Sequence, residues 1–252
     1  MQKVALVTGG SRGLSAEIVR ELARQGYDVF FTYMENKKAA EEVMDEVKSL
    51  GRRVFSLSAD VRDFRLAQDV VASAVEKLGG VHALVCSAGA THMRPFHEIT
   101  EEDWDIDVDV CLKGSFNYMR AVAPLFQEQQ NGKIVCIGSI NAWRGRPGTA
   151  CYNAAKAGLS GLVKTAAAEL GPFNVNVNIV APGFVETRPP ESYAPGRREE
   201  ILGECAIKRL GKPADIASVV AFLVSDAARH VTGQIIAVDA GQSLSRPLGL
   251  KK

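Results

Sequence analysis

Short apolar runs, most of them rich in β-branched residues, recur at 4–7, 29–32, 54–57, 83–86, 134–137, 175–180 and 235–238. Between them lie longer stretches with apolar residues at helical spacing, at 16–25, 39–50, 66–78, 116–129, 154–170 and 215–225. Strands that are apolar on both faces are expected where helices cover both sides of a parallel sheet. The alternation therefore predicts an α/β chain with a doubly wound parallel sheet of about seven strands and helices on both faces. No linker-like stretch interrupts it, so a single domain is expected over 1–252. The least regular piece runs from Pro182 to about Gly203 and also holds Pro189, Pro190 and Pro195. A segment of that length after a strand's carboxyl end reads as a substrate lid, at about 183–203, with a disordered surface loop as the alternative.

Composition narrows the class. At 252 residues, 46% hydrophobic and 23% charged, the chain can bury a full-sized core without disulfides. A net charge of +1 gives no electrostatic reason to expect nucleic acid as a partner. Cys86, Cys111, Cys136, Cys151 and Cys205 form no C-x-x-C or Cys/His spacing, so reduced, buried cysteines and no metal site are expected. No apolar run approaches the roughly 20 residues of a membrane span, and the first strand begins almost at once. A cytoplasmic protein is the expectation.

Candidate chemistry starts with Tyr152-Asn153-Ala154-Ala155-Lys156, which has Ser139 upstream. Residues four apart share a helix face, so the Tyr152 phenol and Lys156 ammonium point into one space. At roughly 4 Å and an effective dielectric of about 20, the cation favours phenolate by about 4 kcal/mol. That is enough to make a tyrosine a useful proton donor and acceptor near neutrality. Ser139 supplies a hydroxyl that can hold a substrate oxygen.

Thr8-Gly9-Gly10-Ser11-Arg12-Gly13-Leu14-Ser15 follows the first strand and opens a helix. There Gly9 can make the tight turn, and Gly13 lets the backbone approach a pyrophosphate seated on the helix N-terminus. The chain is thus expected to be a Rossmann fold. Asp60-Val61, past the third strand, either reads an adenine amino group or caps the next helix. The acid that usually bonds the ribose 2′-hydroxyl is absent from the end of the second strand, which reads Phe31-Thr32-Tyr33-Met34 before Glu35. With Arg12 in the loop, a 2′-phosphate fits better, so NADP(H) is preferred and NAD(H) kept as the second choice. Lys37 and Lys38 either help or are solvated helix-start charges.

These motifs, in this order, resemble the short-chain dehydrogenase/reductase family, and within it the bacterial β-ketoacyl-acyl-carrier-protein reductase type. The likeness extends to 180–187, to Arg209-Leu210-Gly211-Lys212-Pro213 and to 231–241. It implies Tyr152 as general acid/base, Ser139 orienting the substrate oxygen and Lys156 bonding the nicotinamide ribose. It also implies Ser87, Ala88 and Gly89 beside the adenosine side, and Pro182, Gly183, Val185 and Thr187 around the nicotinamide. Tetramers (or dimers) built on 116–129 and 154–170 are implied too. The chain departs from the family at Ser15, at Cys86-Ser87, and at Cys111, a possible proton-relay position where the family has asparagine. Ser15 either loosens the cofactor or bonds a phosphate, and at Cys86-Ser87 the family's sheet-bracing amides are lost. At Cys111 a slower relay or a redox-sensitive thiol follows.

The substrate pocket is expected to draw on His92, Asn141, Trp143 and Phe184, with Arg94, Arg144 and Arg188 as possible anion ligands if two converge. Carrier-protein docking is weakened by the absence of cations at 127–131 and 172–174. The leading reading is a ketone or secondary-alcohol oxidoreductase acting on a small molecule. A 3-oxoacyl-thioester reductase and a non-catalytic dinucleotide-binding sensor or assembly protein are the alternatives.

Overall fold

The computed structural model describes residues 2–244, so the extreme ends of the expected 1–252 domain lie outside the described residues. All seven expected strands form: β1 (Val4–Val7), β2 (Asp28–Tyr33), β3 (Val54–Ser58), β4 (Ala83–Cys86), β5 (Gly132–Ile137), β6 (Val175–Pro182) and β7 (Ile235–Val238). They make one parallel sheet in the order β3-β2-β1-β4-β5-β6-β7. The strand order reverses between β1 and β4, which opens a crevice at their carboxyl ends. Six helices lie where the periodicity places them: α1 (Gly13–Arg24), α2 (Lys37–Ser49), α3 (Phe64–Leu78), α5 (Gly114–Gln129), α7 (Ala150–Leu170) and α9 (Pro213–Val224).

Alternation along the strands divides the core. Leu6 and Phe30 pack with α3, α5 and α7 on one face, whereas Ala5, Val7 and Phe31 pack with α1, α2 and α9 on the other. Local chemistry sets the helix ends. The Asp63 carboxylate accepts from the Arg65 and Leu66 N–H groups at 2.8 and 2.9 Å and so starts α3. Asp63, not Asp60, is therefore the cap.

Three helices lie outside the sequence expectation: α4 (Glu101–Val108), α6 (Asn141–Arg144) and α8 (Arg197–Glu204). The first is opened by a Thr100/Asp103 capping box and runs through a π-helical turn, Asp109–Lys113, directly into α5. The last lies in the segment read as irregular, together with a 3₁₀ turn at Pro190–Ser192. Both α4 and α8 are mostly polar, and α8 buries only Ile201, so neither presents an apolar stripe. No helix among the described residues is long and apolar enough to cross a membrane.

Candidate active site

The loop after β1 enters the crevice by a route that only glycine allows. Gly9 has φ +74°, and a Cβ there would lie 3.0 Å from the Ala88 Cα. Its N–H donates to the Thr32 hydroxyl at 3.2 Å, which ties the loop to β2. Thr8 braces the other side: its hydroxyl oxygen accepts from the Ser87 and Ala88 N–H groups at 2.9 and 3.1 Å. Helix α1 then starts without a side-chain cap, so its first N–H groups are left for a ligand at the crevice.

A cavity of about 960 Å³ opens there, lined by Gly9, Ser11, Arg12, Gly13, Leu14, Tyr33, Asp60, Val61, Ser87, Ala88, Gly89 and Thr187. Every residue expected on the adenosine and pyrophosphate side is thus brought together. Asp60 is held by Arg62 at 2.6 Å, and that hydrogen-bonded guanidinium keeps its carboxyl below the usual range. Arg12 is exposed and makes no ion pair among the described residues, whereas Lys37 starts α2 and reaches toward Glu41. Neither Lys37 nor Lys38 lines the cavity.

Two departures are resolved by contact. The Ser15 and Ser87 hydroxyls lie 2.7 Å apart and form a hydrogen bond, and Ser15 also reaches the Ser87 carbonyl at 3.4 Å. Ser15 therefore links the start of α1 to the end of β4, and the bracing expected to be lost at Cys86-Ser87 is supplied by Thr8 and Ser15.

A second cavity, about 830 Å³, adjoins the first and shares Ser87, Gly89, Ala90 and Thr187 with it. Ser139, Tyr152 and Lys156 all line it, as do Asn141, Gly183, Phe184 and Val185. Ser139 follows β5, and its hydroxyl accepts from the Asn141 N–H at 3.2 Å. Tyr152 and Lys156 come from the first turns of α7, and the ammonium sits 5.6 Å from the phenol ring centre. Lys156 is 5% exposed and donates to the Ile137 carbonyl at 2.7 Å. Burial opposes its charge, but the neighbouring Cys111 and Tyr152 side chains hold its pKa above the ordinary lysine value.

Three expected residues do not reach the cavity. His92 is held by Asp107, its Nδ1 lying 2.8 Å from the buried carboxylate on α4. Trp143 is half exposed and does not line the cavity. Pro182 is the buried last residue of β6, and its carbonyl accepts from the Ile140 N–H at 3.1 Å. Cys111 lies in the π-helical turn, fully buried. Its thiol donates to the Ala90 carbonyl at 3.3 Å, and its own carbonyl accepts from the Ser115 hydroxyl at 2.9 Å. Of the candidate anion ligands, Arg94 pairs with Asp103 and Arg188 stacks on Tyr193. Arg144 does line the cavity, and Arg146, Arg197, Glu200, Glu204 and Gln242, which sequence reasoning missed, join it.

This geometry agrees with what the chain is similar to. The family model described as enoyl-(acyl carrier protein) reductase matches residues 9–243. The 3-oxoacyl-[acyl-carrier-protein] reductase FabG of Staphylococcus epidermidis is 39% identical over 241 residues, covering 96% of this chain and 99% of that protein. The chain is a short-chain dehydrogenase/reductase. The FabG reductase of Thermotoga maritima is 37% identical, covering 95% of this chain and 97% of its own. The crystal structure of a Sinorhizobium meliloti protein assigned as a short-chain alcohol dehydrogenase superposes with a TM-score of 0.92 at 34% identity, over 97% of this chain and 98% of that one. As a member of this family the chain is an NAD(P)-dependent oxidoreductase, and the reading as a non-catalytic sensor is not favoured.

Proposed function

We propose that this short-chain dehydrogenase/reductase reduces a small-molecule ketone to a secondary alcohol, or runs the reverse, with NADP(H) as its preferred cofactor. One observation carries the reading: Ser139, Tyr152 and Lys156 open together into a cavity that shares Ser87, Gly89, Ala90 and Thr187 with the glycine-loop cavity. The residues fit a dinucleotide, since the Gly9 turn has no room for a Cβ and the uncapped start of α1 offers N–H groups to a pyrophosphate. Gly9, Ser11, Gly13 and Leu14 would hold the pyrophosphate, Asp60 and Val61 the adenine, and Gly183, Val185 and Thr187 the nicotinamide side. When bound, the nicotinamide supplies or accepts the hydride.

The side chains supply the rest. Ser139 donates a hydrogen bond to the substrate oxygen and fixes it beside Tyr152. The Tyr152 hydroxyl gives that oxygen its proton as the carbonyl carbon becomes tetrahedral, and takes it back in the oxidative direction. Lys156, fixed by the Ile137 carbonyl, favours the phenolate left behind. The proton is replaced from solvent, and Cys111 keeps its place beside Ala90 without an amide to join that relay. Residues 183–203, carrying Phe184 at their root and part of α8, serve as the lid over the second cavity.

The relatives named as 3-oxoacyl carrier-protein reductases support a 3-oxoacyl thioester as one substrate class. Residues 127–131 and 172–174 carry no cation, which favours a small ketone over a carrier protein. Five free, buried cysteines suit a reducing cytoplasm. Exposed Phe116, stacked on Phe64 at 6.3 Å, gives α5 an apolar face suited to self-association as a tetramer or dimer. Tyr152→Phe tests the chemistry: NADPH still binds, while NADPH oxidation with a ketone panel falls by roughly 10²-fold or more. Turnover equal to wild type would refute the role of Tyr152.

A further inference from the structure

The cavity that holds Ser139, Tyr152 and Lys156 carries more positive charge than a ketone needs. Arg144, Arg146 and Arg197 line it, against Glu200 and Glu204. Two of these guanidiniums already have partners: Arg144 with Glu204 at 3.0 Å, and Arg197 with Glu200 at 2.5 Å. Arg146 has no carboxylate at ion-pair distance among the described residues, although it is partly buried. Burial, then the nearby charge of Arg197 and more weakly that of Arg144, pushes the Arg146 guanidinium below its ordinary value, against the pull of Glu200 and Glu204. It stays charged near neutrality, so the site holds a partly desolvated cation with no ion-pair partner among the described residues.

The backbone that carries this cation is held by the helix that carries Tyr152. The Arg146 carbonyl accepts from the Thr149 N–H at 3.3 Å and from the Thr149 hydroxyl at 3.0 Å. The Asn153 carboxamide, oriented as an acceptor, takes the Arg146 N–H at 3.1 Å. Thr149 and Asn153 flank Tyr152 at the start of α7, so the Arg146 backbone is pinned at a set offset from the phenol. Glu200 is 58% exposed, and an exposed pair of that kind is weak, which leaves Arg197 able to turn toward a second anion.

We propose that the substrate carries an anionic oxygen group, a carboxylate or a phosphate, and that Arg146 binds it in the cavity with Arg197 in support. The inference rests on the reading of this cavity as the carbonyl-substrate site. A planar guanidinium recognises either group through paired hydrogen bonds. The anion is either part of a free keto acid or part of a thioester carrier such as coenzyme A.

Steady-state kinetics with NADPH on two matched pairs decide among these. One pair is 4-oxopentanoate and its methyl ester; the other is acetoacetyl coenzyme A and the neutral N-acetylcysteamine thioester. The anionic member of at least one pair is expected to have a kcat/KM higher by roughly tenfold or more. That ratio should collapse in Arg146→Gln, chiefly through KM, and return in part in Arg146→Lys. Preference confined to the first pair assigns the anion to a free acid, and preference confined to the second assigns it to the carrier phosphates. Equal kcat/KM within both pairs, turnover of neutral ketones alone, or a preference that survives Arg146→Gln overturns the anion site and leaves the oxidoreductase reading standing. No NADPH oxidation with any of the four or with a neutral ketone panel overturns that reading, and this inference with it. The wild-type comparison needs no variant, so a missing preference counts against the site even where Arg146→Gln fails to fold.

Discussion

Arg12 lines the glycine-loop cavity and pairs with no carboxylate among the described residues, where the end of β2 offers Tyr33 and Met34 before the first acid, Glu35. With NADP(H) as the proposed cofactor, a 2′-phosphate would be its partner. Arg12→Ala should weaken NADPH by roughly tenfold or more, as expected for losing a charge-assisted hydrogen bond, and NADH much less. Fluorescence titration of the two cofactors reads this directly, and equal losses would count against the phosphate contact. At this scale the glycine loop, Ser139, Tyr152 and Lys156 were legible because each belongs to a motif of fixed local spacing. His92 and Trp143 were misplaced for the opposite reason. Their segments are loop and short helix, and a buried Asp107 from α4 decided where His92 points.

Among elements, the junction of α1 and β4 shows how the chain absorbs its departures from the family. The Ser15 and Ser87 hydroxyls face each other at 2.7 Å, so two changes that look damaging separately form one contact. A double-mutant cycle of Ser15→Ala and Ser87→Ala, read by urea unfolding, should give a coupling of about 0.5–1.5 kcal/mol. Strict additivity would mean the contact contributes nothing. Helices α4 and α8 escaped the hydrophobic pattern because what α4 buries is Asp103 and Asp107, and what α8 buries is Ile201 alone. The legible sign of α4 was the Thr100/Asp103 capping box, which needs no apolar stripe.

Across the whole molecule, the two ends of the fold are tied on one face of the sheet. Tyr27, beside the start of β2, donates its hydroxyl to the Val224 carbonyl at 2.9 Å, joining the last turn of α9 across 197 positions of sequence. Tyr27→Phe should cost about 1 kcal/mol in thermal or denaturant unfolding, the usual value of one buried hydrogen bond. Burial pushes the Tyr27 phenol up to about 12, so the folded state resists ionisation that the unfolded chain accepts near pH 10. Stability is unaffected by ionisation of this group below about pH 10 and falls progressively as the pH rises to about 12, by on the order of 2 to 3 kcal/mol. The Tyr27→Phe protein should show a shallower alkaline decline in stability than wild type. Parallel decline in both would place the alkaline loss elsewhere.

The sequence by itself determined the seven strands, six of the nine helices in the described residues, and the Ser139, Tyr152 and Lys156 set. All of these follow from periodicity or from short motifs, whose physics is local. Tertiary structure decided which distant side chains face one another. Arg146 comes from the loop before α7, Arg197 and Glu204 from α8, and Gln242 from beyond β7, yet they share one cavity wall. No periodicity encodes that meeting, because it depends on how loops and polar helices pack over the sheet's carboxyl edge. The mix of charges on that cavity wall was settled there.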